Sequence, residues 1–498
     1  MSAGNGAGRR QRVAIVGGGA AGTLAAVHLM RESRREQALE ITLIDRDGSF
    51  GPGVAYGTAD PLHLLNVPAV RMGAVAGHPE HFHGWLAGRG HAAGEEAFMP
   101  RGVYGEYLSD LLAEAERSSL DVHLSRRVAE VMEISPRGDH PGSALDLSLR
   151  GGGHLEADRV VLALGPLGAG DPVRIPDELK RSGVYVADPW ARGALDGARS
   201  ERAVLIIGTG LTMVDVALSL CSEQGGPRIR AVSRHGLVPK RHRRDLTRIR
   251  RFPVPLESGG LEPILTAILA QIGRVAQQGD DWRDVIDSMR PVTPTIWRSL
   301  RVEEKRRFLV ELQRLWDVHR FRMAPDVADR LEALRAAGRV QVDADSIVTL
   351  EPHEGGARVR LRAIGQRDLD TVDVSRVINC TGAGCDLRRQ APPLLKSLLA
   401  AGRARADELG LGLDVDDEGA LLDCDGRPSE RIFAVGSLRK GVEWEAIGVT
   451  EIRDHAAGAA ARIVAAGEHA AAAAAEAPTL VQSLPQPSFD GPVGEAAA

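Results

Sequence analysis

Arg12-Val13-Ala14-Ile15-Val16-Gly17-Gly18-Gly19-Ala20-Ala21-Gly22 is the stretch whose reading decides the fold. A short β-branched run breaks into glycines and then into a small-residue helical stretch that reaches Met30, which reads as strand, turn and helix. The spacing is G-x-G-x-x-G. Gly17 suits the tight turn, Gly19 lets the backbone approach a pyrophosphate, and Gly22 permits close packing of helix on strand. The free N–H groups and positive end of that helix would face the phosphates. A second apolar strand, Ile41 to Ile44, then delivers Asp45 to where a carboxylate can accept the ribose hydroxyls, and this context makes the motif specific. Val13 to Met30 is uncharged with His28 neutral, yet its glycines obey the turn rule and no cleavage-site or stop-transfer pattern accompanies them. Neither an export signal nor a spanning helix is expected.

The pattern recurs. Ala203 to Ile207 repeats the strand, Gly208-Thr209-Gly210 the turn, and Leu211 to Leu220 the helix, with Met213 in place of the third glycine. After the next strand, Ile229 to Val232, the position that Asp45 holds in the first unit is occupied by Ser233 and Arg234. A hydroxyl and a guanidinium there suit a 2′-phosphate, which an acid would repel, so NADPH is favoured and NADH is the alternative.

A chain of 498 residues suggests two to three domains at about 150 residues each. Its 43% hydrophobic and 26% charged residues describe a soluble globular protein and argue against a disordered or membrane-embedded one. With 62 Lys and Arg against 67 Asp and Glu, the net charge of -5 gives no global drive toward nucleic acid or an anionic membrane. The four cysteines, Cys221, Cys380, Cys385 and Cys424, form no C-x-x-C pair, which speaks against a disulfide framework, a zinc knuckle or a dithiol redox centre and fits a reducing cytoplasm. His78, His81, His83 and His91 lack regular metal-ligand spacing, so no metal is expected. The basic run Lys240 to Arg251 reads as a solvated face near a cofactor phosphate or an anionic substrate channel, and the arginines of the helical stretch Trp282 to Met323 could gate an anionic substrate.

Leu64-Leu65-Asn66-Val67-Pro68, then Met72 and His78-Pro79-Glu80-His81-Phe82, resembles the flavin-side segment of flavin-containing monooxygenases and their N-hydroxylating relatives. The resemblance implies that Asn66 lies against the reactive edge of an isoalloxazine. It continues through Tyr104-Gly105-Glu106-Tyr107-Leu108. Val160-Val161-Leu162-Ala163-Leu164-Gly165 is similar to the outgoing linker between two dinucleotide domains, and Val377-Ile378-Asn379-Cys380-Thr381-Gly382 to the return. Gly51-Pro52-Gly53-Val54-Ala55-Tyr56-Gly57-Thr58, Ser233-Arg234-His235-Gly236-Leu237 and Trp316-Asp317-Val318-His319-Arg320 resemble a bacterial FAD/NAD(P)-binding group whose better-understood relatives oxygenate small nitrogen-rich or amino-acid substrates such as urate or aspartate. Two departures stand out. The family fingerprint wants a His between a glycine and a Trp, but Gly183 and Trp190 enclose none. In Ile432-Phe433-Ala434-Val435-Gly436, which resembles the last FAD strand, Ser437 follows where an Asp usually holds the ribitol; a serine can still make one such hydrogen bond.

The expected fold is α/β with two Rossmann-like dinucleotide-binding domains and a helical insert: an FAD domain over 10–165 plus 375–465, an NAD(P)H domain over 166–374, and a tail over 466–498 that is disordered or a loosely docked helix. FAD would be held by Gly17, Gly19, Gly22, Asp45, Asn66, Gly165, Gly382, Gly436 and Ser437, and NADPH by Gly208, Gly210, Ser233 and Arg234. The resemblance implies an FAD-dependent, NAD(P)H-consuming monooxygenase in which O2 reacts at flavin C4a, with Asn66 the catalytic candidate and Trp444 and Glu445 on the substrate side. The partners are a small-molecule substrate and O2, with no nucleic acid and no membrane; a homo-oligomer is compatible. An FAD-dependent reductase without oxygen insertion, or a cofactor-bound sensor without turnover, are the alternatives.

Overall fold

The computed structural model describes residues 10–33, 38–91, 94–138, 143–222, 225–245, 251–253, 259–382, 384 and 386–476, the last nine as backbone only. β1 (Gln11–Val16), α1 (Ala20–Glu32) and β2 (Leu39–Asp45) form the first unit as the glycine pattern requires. β1 lies at the middle of a six-stranded sheet, parallel to β2 on one side and to Arg159–Leu162 on the other. Both of its faces are covered, so Val13, Ala14 and Ile15 are all buried, which is why the run is apolar without alternation. The sheet is completed by Val122–Val128 and, from far along the chain, by Ala420–Leu422 and Pro428–Ala434.

A second, seven-stranded sheet is built around Ala203–Ile207, which pairs in parallel with Arg228–Ser233 and with Arg376–Asn379. The strand Arg376–Asn379 therefore belongs to the second sheet, and the chain returns to the first after it rather than at 375 as the sequence suggested. Its apolar pairs, Val377 with Leu205 and Ile378 with Ile206, fix it there. An antiparallel three-stranded meander, Val131–Pro136, Leu145–Leu149 and His154–Ala157, forms a third sheet whose Ile134 and Leu147 share a core with Ala14 and Val16 of the first.

Helices from Leu261–Gln277 to Pro325–Ala336 form the insert, which starts earlier than the tryptophan-marked stretch suggested. The last helix, Val449–Glu476, packs Ala456, Ala459, Ala460 and Ile463 into the core that α1 also lines. This helix runs through residue 476, into the tail that the sequence reads as disordered or a loosely docked helix; 477–498 lie outside the described residues. Its small side chains allow the close approach to α1, and burial of its apolar face holds it. Among the described residues no helix is long and apolar enough to cross a membrane.

Candidate functional site

The first turn is shaped by sterics that only glycine satisfies. Gly17 has φ +112, and a Cβ on it would stand 2.2 Å from the Ala163 carbonyl oxygen; a Cβ on Gly22 would stand 1.8 Å from that of Gly17. Gly19 ends the turn and caps α1 with extended backbone, φ -71 and ψ -168. Facing it is a second glycine turn: Gly51 N–H donates to Gly18 O at 2.9 Å, and Gly53, at φ +59, lies against Gly19. Asp45, at the end of β2, accepts from the amides of Gly18, Asp47 and Ser49 at 2.9 to 3.1 Å. Three backbone donors thus aim the carboxylate at the turn, where the sequence placed it.

Gly436, at φ +79, rests on Ala21 in the first turn of α1. Beside it the Ser437 hydroxyl is buried with no hydrogen-bond partner among the described residues. An orphaned hydroxyl next to a glycine cradle at a helix N-terminus fits a phosphate- and hydroxyl-bearing ligand, since a buried polar group is ordinarily satisfied. Gly165 and Gly382, in the two crossings between sheets, have φ +69 and +90, and a Cβ on either would meet nothing within 4 Å. Glycine is needed there for the turn, not for space.

The second turn reproduces the first. Gly208 has φ +108 and would press a Cβ to 2.3 Å from the Cys380 carbonyl oxygen, as Gly17 does on Ala163. Gly210 caps Leu211–Leu220 at φ -82 and ψ -168, close to the dihedrals of Gly19. Met213, in place of the third glycine, is fully buried. Ser233 is occupied within its own loop: its hydroxyl meets Thr209 Oγ1 at 2.9 Å and accepts from Gly236 N–H at 3.0 Å, while Thr209 donates to Leu237 O at 2.6 Å. Arg234 is exposed and has no ion-pair partner among the described residues.

Asn66 lies on a segment that many contacts immobilise. Leu65 N–H donates to Met99 O and Ala69 N–H to Ala97 O. Tyr104 donates its hydroxyl to Met72 O at 2.9 Å, Tyr107 OH accepts from Ala74 N–H at 3.1 Å, and Arg453 donates to Gly73 O at 3.1 Å. The motifs carrying Phe82, Tyr104 and Tyr107 thus form a buried aromatic wall behind the segment. Two buried histidines complete the support, His28 Nε2 on Ala74 O at 3.3 Å and His242 Nε2 on Asn66 O at 3.0 Å. Burial lowers both, His28 to about 4 and His242 to about 3, and neighbouring arginines add to the effect. The half-buried Asn66 amide side chain has no protein partner among the described residues, so its donor and acceptor are available to a ligand. His242 was not singled out in the sequence, because it sits inside the basic run and contacts Asn66 across 176 positions.

The two sheets meet through a polar junction. His63 bridges Thr58 Oγ1 at 2.7 Å and Ser219 Oγ at 2.8 Å, Ser219 donates to Asp60 at 2.6 Å, and Arg101 pairs with Asp215 at 2.5 Å. Trp190 stacks edge-on to His63 and lies under the Arg101 guanidinium, so the tryptophan of the altered fingerprint has a packing role. Beyond Ser437 the chain docks on the insert. Trp444 is the centre of a strained γ-turn, φ 61 and ψ -59, closed by Glu445 N–H on Glu443 O at 2.7 Å. Its ring stacks on Trp297 at 4.8 Å and meets Phe308 edge-on. Arg320 grips both Glu445 oxygens at 2.8 to 3.1 Å, with the carboxylate only 4% exposed. The structure therefore places Trp444 and Glu445 in the contact between the terminal segment and the insert. The basic run is also largely paired: Arg241 and Arg244 hold Asp329, and Arg243 holds Asp284 at 2.7 Å. Arg248 and Arg250 lie outside the described residues.

Two glycine-turn units on separate, mostly parallel sheets, joined by glycine crossings, define an α/β protein with two dinucleotide-type domains. Residues 14–167 match the FAD-NAD(P)-binding family model. Solved structures share the whole architecture. The ornithine hydroxylase of Pseudomonas aeruginosa in its reduced form is 16% identical, covering 92% of this chain and 99% of its own, with a TM-score of 0.60. The ornithine N-hydroxylase of Kutzneria sp. 744, determined with reduced FAD, NADP+ and L-ornithine, is 17% identical over 93% and 100%, at 0.61. The L-lysine 6-monooxygenase of Pseudomonas syringae is 18% identical over 93% and 100%, at 0.60. No protein of curated function matches the sequence.

Proposed function

We propose that this chain is an FAD-dependent, NADPH-consuming monooxygenase that hydroxylates a small amine. The observation that carries the reading is the Asn66 amide, unpaired on an immobilised segment in a chain with two dinucleotide turns. The fold shared with ornithine and lysine hydroxylases supports it. Urate and aspartate have no counterpart among those neighbours, so an amine takes their place. Bound FAD would supply acceptance of hydride from the nicotinamide and activation of O2. The protein's part is to bind and orient. Gly17, Gly19 and Gly22 with α1 receive the pyrophosphate, Asp45 the ribose and Ser437 one further hydroxyl. Gly208 and Gly210 receive the second nucleotide, and Arg234 its 2′-phosphate. Asn66 offers one donor and one acceptor at a fixed place, and an amide held this way strengthens hydrogen bonds in a water-poor site.

Two outcomes follow. Arg234→Ala raises KM for NADPH far more than for NADH, by about 1.5 to 3 kcal/mol of lost charge-assisted hydrogen bonding; equal effects in steady-state kinetics with both nucleotides would remove Arg234 from the 2′-phosphate. Asn66→Ala leaves reduction of the flavin by NADPH nearly unchanged but uncouples it, so that hydrogen peroxide replaces hydroxylated amine. Parallel assays of NADPH oxidation, O2 uptake and peroxide over ornithine, lysine and cadaverine check this. Wild-type turnover that proceeds without air, on a quinone or dye, as fast as in air would instead make the chain a reductase.

A further inference from the structure

Asn66 belongs to the part of the chain that carries the first glycine turn, yet much of what fixes it comes from the second sheet. Leu62 and Leu64, just before it, and Phe98 pack with Val238 on the core that Met213, Val214 and Ala217 line. Its carbonyl accepts from His242 Nε2 at 3.0 Å. A carbonyl can only accept, so Nε2 carries the hydrogen and the neutral ring is held in one tautomer. His242 is buried, and Phe98 meets its ring at 5.2 Å between centroids. The histidine lies eight residues after Arg234, and the strap between them is tied down along its length. Gly236 N–H donates to Ser233 Oγ at 3.0 Å, and Leu237 O accepts at 2.6 Å from Thr209, the middle residue of the second glycine turn. Further on, Lys240 N–H donates to Val318 O at 2.8 Å, Met323 N–H to Lys240 O at 2.8 Å, and His242 N–H to Met323 O at 2.9 Å. One end of the strap thus stands on the turn for the second nucleotide, and the other on the backbone of Asn66.

We infer that His242 is a positioning residue through which the second nucleotide's loop holds Asn66, so that filling the loop and immobilising Asn66 are coupled. The hydrogen bond fixes the peptide group from which the Asn66 side chain departs. A nucleotide phosphate that gathers Arg234, Thr209 and the Gly208–Gly210 turn into one arrangement narrows the motion of the strap, and the His242 bond passes that restriction on. Restricting one site in this way favours the ordered form of the other without a change of shape. Coupling between sites is reciprocal, so the bond to Asn66 also tightens the hold on the nucleotide. The inference rests on the assignment of the second turn to a pyridine nucleotide, but it is read in the absence of turnover and does not depend on what the enzyme hydroxylates.

The test is hydrogen–deuterium exchange of the oxidised, flavin-loaded protein, read by mass spectrometry on peptides covering 62–72, with and without adenosine 2′,5′-bisphosphate. This probe carries the 2′-phosphate but no nicotinamide, so it cannot reach the flavin, and any effect on Asn66 passes through the protein. The amides of Leu65, Ala69 and Met72 are hydrogen-bonded and report opening of the segment. In wild type the saturating probe slows their exchange about fivefold or more. His242→Phe keeps a ring against Phe98 and loses the donor; it abolishes this protection and weakens probe binding, measured by calorimetry, by a comparable factor. His242→Leu, smaller and equally without a donor, does the same, and His242→Gln restores both. His28→Phe breaks the bond at the far end, Ala74 O, so it speeds exchange but leaves the protection by the probe in place. Bound probe that leaves 62–72 unchanged in wild type overturns the inference alone, as does equal protection in His242→Phe or loss of protection in His28→Phe. Failure of the probe to bind wild type at millimolar concentration overturns the second nucleotide site, and the inference with it.

Discussion

Gly19→Val is expected to yield a folded but colourless protein. A Cβ on Gly19 would stand 3.2 Å from Gly53 Cα, tighter than ordinary contact, and Gly53 is equally close from the other side of the gap between the two glycine turns. Valine adds two more carbons, and they occupy the space over the first amides of α1 that a pyrophosphate needs. The backbone at Gly19 is extended, φ -71 and ψ -168, so the substitution itself introduces little strain. Gly22→Ala would be a poorer probe, since its Cβ would overlap the Gly17 carbonyl oxygen at 1.8 Å and unfold the unit. The matched control is Gly210→Val, where a Cβ meets nothing within 4 Å; it keeps the flavin and weakens NADPH binding. Visible absorbance per mole of protein and far-UV circular dichroism read both results. Stoichiometric flavin in Gly19→Val would remove the first turn as the FAD site, and loss of flavin from Gly210→Val would mean that the two turns do not serve separate nucleotides.

The backbone of the two nucleotide units was legible because sterics write it into the sequence. Gly17 and Gly208 stand at matching φ against matching carbonyls, and no other residue type fits those places. The same holds for Asp45, whose place at the end of β2 follows from strand length alone. What lay hidden was pairing across distance. Trp444 and Glu445 read as substrate-side residues from their place after the last FAD strand; that Arg320, 125 positions away, grips the acid and that the ring packs on Trp297 is contained in no local pattern. His242 was concealed for the same reason. The strand Arg376–Asn379 misplaced the domain return because its apolar pattern suits either sheet, and only its register with Ala203–Ile207 decides between them. The arginines were visible as a charged run, but which of them remain unpaired depends on contacts that no local pattern contains.

Acid should loosen the Asn66 segment before it unfolds the rest of the protein. His28 and His242 hold the carbonyls at its two ends, Ala74 and Asn66, and both are buried neutral. Unfolded, each takes up a proton near the ordinary value of 6.5; folded, only near 4 for His28 and near 3 for His242. Between those values the unfolded chain binds more protons than the folded one, so stability falls as pH falls. The loss begins below 6.5, grows down to about 4 and 3, and is absent above 6.5. Its slope is at most about 1.4 kcal/mol per pH unit for each histidine. Glu443 adds a later loss: burial works against its charge, but His455 and Arg439 outweigh that and hold it near 2, so its contribution is present above 4.5 and disappears as pH drops toward 2. Melting temperature and flavin fluorescence, followed from neutral pH downward, should therefore decline together starting below 6.5, with flavin released ahead of global unfolding. His28→Gln and His242→Gln keep a donor for the carbonyl but cannot take up the proton, so each should flatten the decline in proportion to its own depressed pKa. A melting temperature that stays level from 6.5 to 4 in wild type, or a slope that neither substitution changes, would show that these histidines do not set the acid limit of the segment.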